Sequence, residues 1–347
     1  MLTLELNIIF SCLSAFLITL VVIPKIIFFA ERLRLIDLAG ERSSHEGSVP
    51  VFGGIAIFAG VMFPLLLWSE LANIQFILVS LFIIFFVGII DDLLTLSPTK
   101  KIIGQIISVL ILIYLQDLRI ENMYGVLGIF HLSEIFSILF TVFVVIVITN
   151  GFNLIDGVDG LACGIGIIAS VGFGVIAFIM GQIDMTIIAF TLTGALIGFL
   201  KYNFYPAKIF MGDTGSLVIG MILSVLAINI IREGIVSETI YFPNKGPLIA
   251  IVLLAIPLFD SLRVFVNRVK RGKRPLSPGK DHLHHALLDL GYGHKYTALI
   301  LYLFSVLAIF LSFFLLTLNL NISITILAFS CYIAILLPFY LIRKRLK

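Results

Sequence analysis

Eleven apolar runs, each close to the length that crosses a bilayer, leave this chain little choice of architecture. They lie near residues 4–24, 51–69, 75–90, 102–117, 134–149, 160–180, 185–201, 215–232, 247–264, 297–317 and 322–342. A hydrocarbon core of about 30 Å takes about 20 predominantly apolar residues, and only a helix pairs its own amides within such a segment. A mean hydropathy of +1.17 and a charged fraction of 12% exclude an ordinary soluble domain, which carries about 25% charge. The expected fold is an all-α polytopic integral membrane protein of about eleven transmembrane helices, one domain over 1–347.

Lys and Arg set the orientation, because cytoplasmic loops close to span ends are enriched in them. An N-terminus outside places 20 of the 23 in the cytoplasm: four in 25–50, two in 91–101, two in 201–214, eight in 263–297 and four in 343–347. Only Arg119, Arg232 and Lys245 stay outside, and the C-terminal RKRLK falls inside. The start MLTLELN has no basic region before its apolar stretch, so the first span is expected to be retained rather than cleaved. Cys12, Cys163 and Cys331 fall in separate spans without metal-ligand spacing and read as buried fillers.

The few ionisable groups then collect on one side. At the end of span three, Asp91 and Asp92 adjoin each other, and repulsion at a membrane boundary demands a proton, a metal or a cation such as Lys100 or Lys101. In NGFNLIDGVDG, Asn150, Asn153, Asp156 and Asp159 recur every three residues, so any helical portion turns them to one side. Their oxygens suit Mg²⁺ or Mn²⁺. In MGDTGS, Asp213 opens span eight, where free amides and the helix dipole attract phosphate. HLHH at 282–285 offers three histidines that suit phosphate or sugar hydroxyls better than zinc, since no Cys stands near to complete a site. Each cluster alone also reads as turn or cap chemistry. Together they suit phosphoryl transfer, which is mostly positioning and charge neutralisation. No Walker A or kinase glycine-rich loop is present, which argues against ATP. A secondary transporter is the rival from another class, disfavoured because the carboxylates sit at span ends and no half-to-half symmetry is visible.

With GGIAIF at 53–58, DDLLTLSPTKKIIGQ, NGFNLIDGVDGLA, MGDTGS and the HLHH loop in order, the chain resembles the polyprenyl-phosphate N-acetylhexosamine-1-phosphate transferases, the family of MraY, WecA and TagO. DHLHHALLDLG in place of a three-histidine run followed by Phe-Glu resembles the WecA/TagO type. The resemblance implies transfer of N-acetylglucosamine 1-phosphate from UDP-N-acetylglucosamine to undecaprenyl phosphate, giving the lipid-diphosphate sugar and UMP. This would be the first step towards a cell-surface polysaccharide such as lipopolysaccharide or teichoic acid. Transfer of phospho-muramoyl pentapeptide is the alternative within the family. By the same resemblance the site faces the cytoplasm at the inner (plasma) membrane and is formed by loops 25–50, 91–101, 150–159, 201–214 and 263–297. Its catalytic set is Asp91, Asp92, Asp156 and Asp159; Asp213 and Asn153 hold Mg²⁺, or Mn²⁺ in its place. His45, Lys101, Asn150, Asn153, His282, His284 and His285 bind substrate. Asp91 is the implied base towards the acceptor, although a phosphate monoester with a second pKa near 6 is already largely dianionic, so orienting or metal-binding roles stay open. So does the choice between single and double displacement. Membrane lipids are expected partners and nucleic acid is not; a homodimer is left open.

Overall fold

The computed structural model describes residues 2–33, 49–233, 244–272 and 281–345, with side chains from Glu5 onward. The described chain forms thirteen helices and one hairpin: α1 Leu2–Arg32, α2 Gly53–Trp68, α3 Leu71–Leu94, α4 Pro98–Leu115, β1 Asn122–Val126, β2 Ile129–His131, α5 Glu134–Ile155, α6 Leu161–Ile179, α7 Ile183–Asn203, α8 Gly212–Glu233, α9 Gly246–Leu253, α10 Ala255–Lys270, α11 Leu283–Asp289, α12 His294–Leu315 and α13 Leu320–Arg345. Nine of the described helices are long and apolar enough to cross a membrane, ten if the bent pair α9–α10 counts as one span. The protein is an integral membrane protein.

α8 lies at the centre, with 94% of its apolar window buried. A helix that is apolar all round belongs inside a bundle, and α8 packs against α2, α3, α5, α6, α7 and α9. Its N-terminal half is approached backbone to backbone. A Cβ at Gly54 on α2 would lie 2.2 Å from the Gly215 nitrogen, and one at Gly88 on α3 would lie 2.4 Å from the Thr214 Cα. Membrane helices associate where small residues allow this approach. The extended segment before α2 adds backbone bonds: Phe210 N–H donates to Pro50 O (2.8 Å), and Gly53 and Gly54 N–H donate to Phe210 O and Met211 O (3.0 and 2.8 Å). The polar first turn of α8 is thereby held between the ends of α2, α3 and α5.

Four expectations are corrected. The stretch expected as span two forms a helix of only 16 residues. Span nine is broken by an 80° bend between α9 and α10. Pro257 lacks the N–H that would bond back across the break. Past it, α10 exposes Leu262, Phe265 and Val269 while burying Asp260, Arg263 and Arg268. The bend thus lets α10 turn its charged groups towards protein and its apolar side chains outward. The all-α expectation missed the hairpin, in which Asn122 pairs with His131 and Val126 with Ile129. Asn321 of α13 clamps its turn, accepting from Leu127 N–H (3.0 Å) and donating to Gly125 O (2.8 Å). Finally, α5 runs to Ile155 and α3 to Leu94, so Asn150, Asn153, Asp91 and Asp92 are helical rather than in loops.

Candidate active site

Asp91 and Asp92 end α3 and are neighbours in sequence, yet a helix turns them about 100° apart, and they do different things. Asp92 reaches α8. Its Oδ1 accepts the Asp213 N–H (2.7 Å), and its Oδ2 accepts the Thr214 N–H (3.0 Å) and the Thr214 hydroxyl. The carboxylate therefore caps α8 from another helix, doing what an N-cap side chain does locally. This corrects the expectation that those two amides stand free for phosphate. It also explains Gly212, at φ +70°, where a Cβ would meet the Asp92 carboxylate at 2.7 Å.

Asp91 turns instead towards α4, which begins at Pro98 after an extended Ser97. Lys101 Nζ lies 3.0 Å from Asp91 Oδ2 and also donates to Asp213 Oδ2, bridging the two carboxylates. The other Asp213 oxygen accepts from Asn153 Nδ2 (2.5 Å), which also donates to Ser216 Oγ (3.0 Å). The side chains of Asp91 and Lys101 are 9% and 12% exposed and that of Asp213 30%, so Asp213 is the member of the cluster most open to a ligand. Four helix ends thus converge on one cation held between two carboxylates. One turn back on each helix, Asn150 Nδ2 donates to Gln105 Oε1 (2.9 Å) and to Ile146 O (2.8 Å), which ties α5 to α4. Asn150 is committed to that framework, and the buried Gln105 Nε2 has no partner among the described residues.

The turn from α5 to α6 separates its two aspartates. Asp159 is buried; its Oδ2 accepts the Ala207 N–H (3.0 Å) and its own N–H donates to His294 Nδ1 (3.3 Å), joining the turn to the loop before α8 and to the start of α12. Asp156 ends α5 and keeps part of its surface open. Its carboxylate makes no hydrogen bond or ion pair among the described residues. Burial, followed by the charges of Asp213, Asp92 and Asp159, pushes its carboxyl well above the ordinary carboxylate range. It is the carboxylate of this turn still available to a cation or a substrate hydroxyl.

The histidines reach this turn through α11. His284 packs against Gly157, where a Cβ would stand 2.7 Å from the His284 Nε2. Glycine is required there by the ring. His284 stacks parallel to His282 at 5.7 Å and lies 4.3 Å from the His285 ring. Burial, and then His285, depress the His284 pKa to about 3, so this imidazole is neutral at physiological pH. His282 Nδ1 lies 2.9 Å from Asp260 Oδ2. Asp260 and Arg263 were missed in the sequence, although a carboxylate inside an apolar run is itself a signal. His294, also missed, had no pattern to mark it. His45 lies outside the described residues.

The donor set fits a hard divalent cation. Lys101 already places a positive charge between Asp91 and Asp213, and all the donors around it are oxygen or amide. Among the described residues no three His, Cys, Asp or Glu side chains gather closely enough to hold a metal by themselves. Mg²⁺ needs no such cage, since it usually takes one or two carboxylates together with phosphate and water.

Residues 74–231, which carry three of the clusters, match the family described as Glycosyl transferase family 4. The chain is 33% identical over 306 residues to the probable undecaprenyl-phosphate N-acetylglucosaminyl 1-phosphate transferase of Bacillus subtilis (strain 168), covering 86% of this chain and 82% of that one. It is 32% identical over 320 residues to the decaprenyl-phosphate N-acetylglucosaminephosphotransferase of Mycolicibacterium smegmatis, covering 84% and 78%. It is 27% identical over 269 residues to the undecaprenyl-phosphate alpha-N-acetylglucosaminyl 1-phosphate transferase of Yersinia pestis, covering 76% and 72%. A likeness that runs through spans and polar clusters alike bears out the motif resemblance: this chain belongs to the polyprenyl-phosphate N-acetylhexosamine-1-phosphate transferases of glycosyl transferase family 4.

Proposed function

We propose that the protein transfers N-acetylglucosamine 1-phosphate from UDP-N-acetylglucosamine to undecaprenyl phosphate at the cytoplasmic face of the inner (plasma) membrane, releasing UMP. The observation that carries this reading is the convergence of Asp91, Lys101, Asn153 and Asp213 at one end of the helix bundle, in a chain whose relatives are named for this transfer. A lipid phosphate reaches that end from the bilayer and a water-soluble nucleotide sugar reaches it from solution. The excess of Lys and Arg in the loops on the same side supports the cytoplasmic assignment.

In this reading an oxygen of the lipid phosphate attacks the sugar-bearing β-phosphorus. The new P–O bond forms as the bridge to the α-phosphate breaks, and the electron pair leaves on UMP. Lys101 neutralises phosphate charge while Asp91 and Asp213 hold it in place. Asp213 and Asp91, with Asn153 through its carbonyl oxygen after an amide flip, would hold Mg²⁺ or Mn²⁺, which supplies charge neutralisation on the diphosphate when bound. Asp92 contributes by fixing the start of α8 rather than by touching substrate. Asp156 and the histidines of α11 face the sugar and diphosphate, while Asn150 and Asp159 shape the pocket from behind.

Purified protein supplied with Mg²⁺, undecaprenyl phosphate and UDP-N-acetylglucosamine is expected to release UMP. Release only with UDP-muramoyl pentapeptide would sink the donor assignment and leave the reaction class standing.

A further inference from the structure

His282 sits at the N-cap position of α11, and its partner Asp260 comes from the first half of α10, just past the 80° bend. Asp260 Oδ2 lies 2.9 Å from His282 Nδ1, while Oδ1 accepts from the Leu283 N–H (3.0 Å) and from Arg263 Nη2 (3.1 Å). Asp260 is 1% exposed, His282 3% and Arg263 6%, so solvent does not compete for these bonds. Arg263 also donates to the backbone carbonyl of Asp281, and its guanidinium lies 4.1 Å from the ring of Phe339 in α13. An ionised carboxylate only accepts, so His282 Nδ1 must carry the proton in this bond. The remaining ring nitrogen, Nε2, makes no hydrogen bond among the described residues.

We infer that Asp260 is a positioning residue of the transferase site: it fixes the tautomer and tilt of His282 so that Nε2 is the ring nitrogen open to an oxygen of the phosphosugar donor. The inference rests on the transferase reading for its ligand and on the buried pair for its geometry. His284 stacks on His282 and packs against Gly157, so the fixed ring stands within the same cluster as the turn that carries Asp156. A carboxylate behind a functional histidine orients the ring and sets which nitrogen is protonated; behind metal-bound histidines its loss typically costs about 10- to 100-fold, and the same scale is expected here.

The test uses the full chain in nanodiscs, labelled with ¹⁵N-histidine, without substrate. The His282 signal, identified by its absence in His282→Gln, is expected to show a protonated Nδ1, and Asp260→Asn is expected to shift it towards a protonated Nε2. Protonation at Nε2 in the unmutated protein, or an unchanged signal in Asp260→Asn, would overturn the inference. In UMP release, Asp260→Asn is expected to lower kcat/KM for the nucleotide sugar about 10- to 100-fold. In a His282→Gln background the same substitution should cost less than about twofold, the result for two groups acting as one unit. An equal loss in both backgrounds would assign Asp260 to the fold alone and overturn the inference. If Asp260→Asn does not fold, the tautomer in the unmutated protein decides. If the unmutated protein transfers nothing, the transferase reading fails while the tautomer still tests the pairing.

Discussion

Substituting the two adjacent aspartates one at a time should separate fold from chemistry. Asp92 accepts two backbone N–H groups and one hydroxyl at the start of α8. Asn in its place keeps one acceptor oxygen and turns an NH₂ towards donors, so at least one charge-assisted bond, worth about 1.5–3 kcal/mol, is lost. It also leaves an amide near the packed Gly54–Gly215 approach without a partner, for about 1–3 kcal/mol more. Asp92→Asn should therefore destabilise the protein by roughly 3–5 kcal/mol. Asp91→Asn leaves Lys101 paired with Asp213 and removes the repulsion between the two carboxylates that share it, so the net loss should be close to that of one hydrogen bond, about 1 kcal/mol. Unfolding can be followed with a thiol-reactive dye, because Cys163 and Cys331 are buried. At roughly 1–2 °C per kcal/mol for a chain of this size, extrapolated from smaller domains, Asp92→Asn should lower the midpoint by about 5 °C and Asp91→Asn by about 2 °C or less. Asp91→Asn should nevertheless lose most UMP release. Equal midpoints for the two variants, or a larger drop for Asp91→Asn, would refute the assignment of Asp92 as the cap of α8.

Asp213→Asn removes a partner of both Lys101 and Asn153 and should abolish turnover; near-normal UMP release with unchanged Mg²⁺ dependence would remove Asp213 from the cation site. Gly157→Ala drives a methyl group into the His284 ring and should lower turnover about tenfold or more through misplacement of the histidines, read as kcat at saturating substrates. His284 provides a pH test. Its folded pKa of about 3 lies below the unfolded value of about 6.5, so the unfolded chain takes the proton first, and this stabilising contribution is lost as pH falls from about 6.5 towards 3. The decline in thermal midpoint across that window should be shallower in His284→Gln, and parallel curves would contradict the burial of a neutral ring.

The spans were legible because hydrocarbon demands long apolar helices, and the four clusters because a chain with so few charges cannot scatter them without purpose. What stayed hidden was which groups meet. Asp92 caps a helix that begins more than a hundred residues later, and nothing local in DDLLTL distinguishes it from Asp91. Asn150 and Asn153 share a face, as their spacing implied, but Asn150 faces Gln105 while Asn153 faces Asp213, a division set by how α4 and α8 pack on α5. The bend after α9 escaped notice because the run 247–264 is apolar throughout its first half; Asp260 and Arg263 in its second half were the clue. The hairpin escaped because ten residues between two spans carry too little periodicity to separate strand from loop.

In the proposed transfer a phosphosugar, and not a sugar alone, moves to the lipid. UDP-N-acetylglucosamine labelled with ³²P at the β-phosphate, incubated with the purified protein, Mg²⁺ and undecaprenyl phosphate, tests it most directly. The label is expected to enter the lipid fraction while the released nucleotide is unlabelled UMP. Label retained in released UDP, with sugar on the lipid, would contradict it.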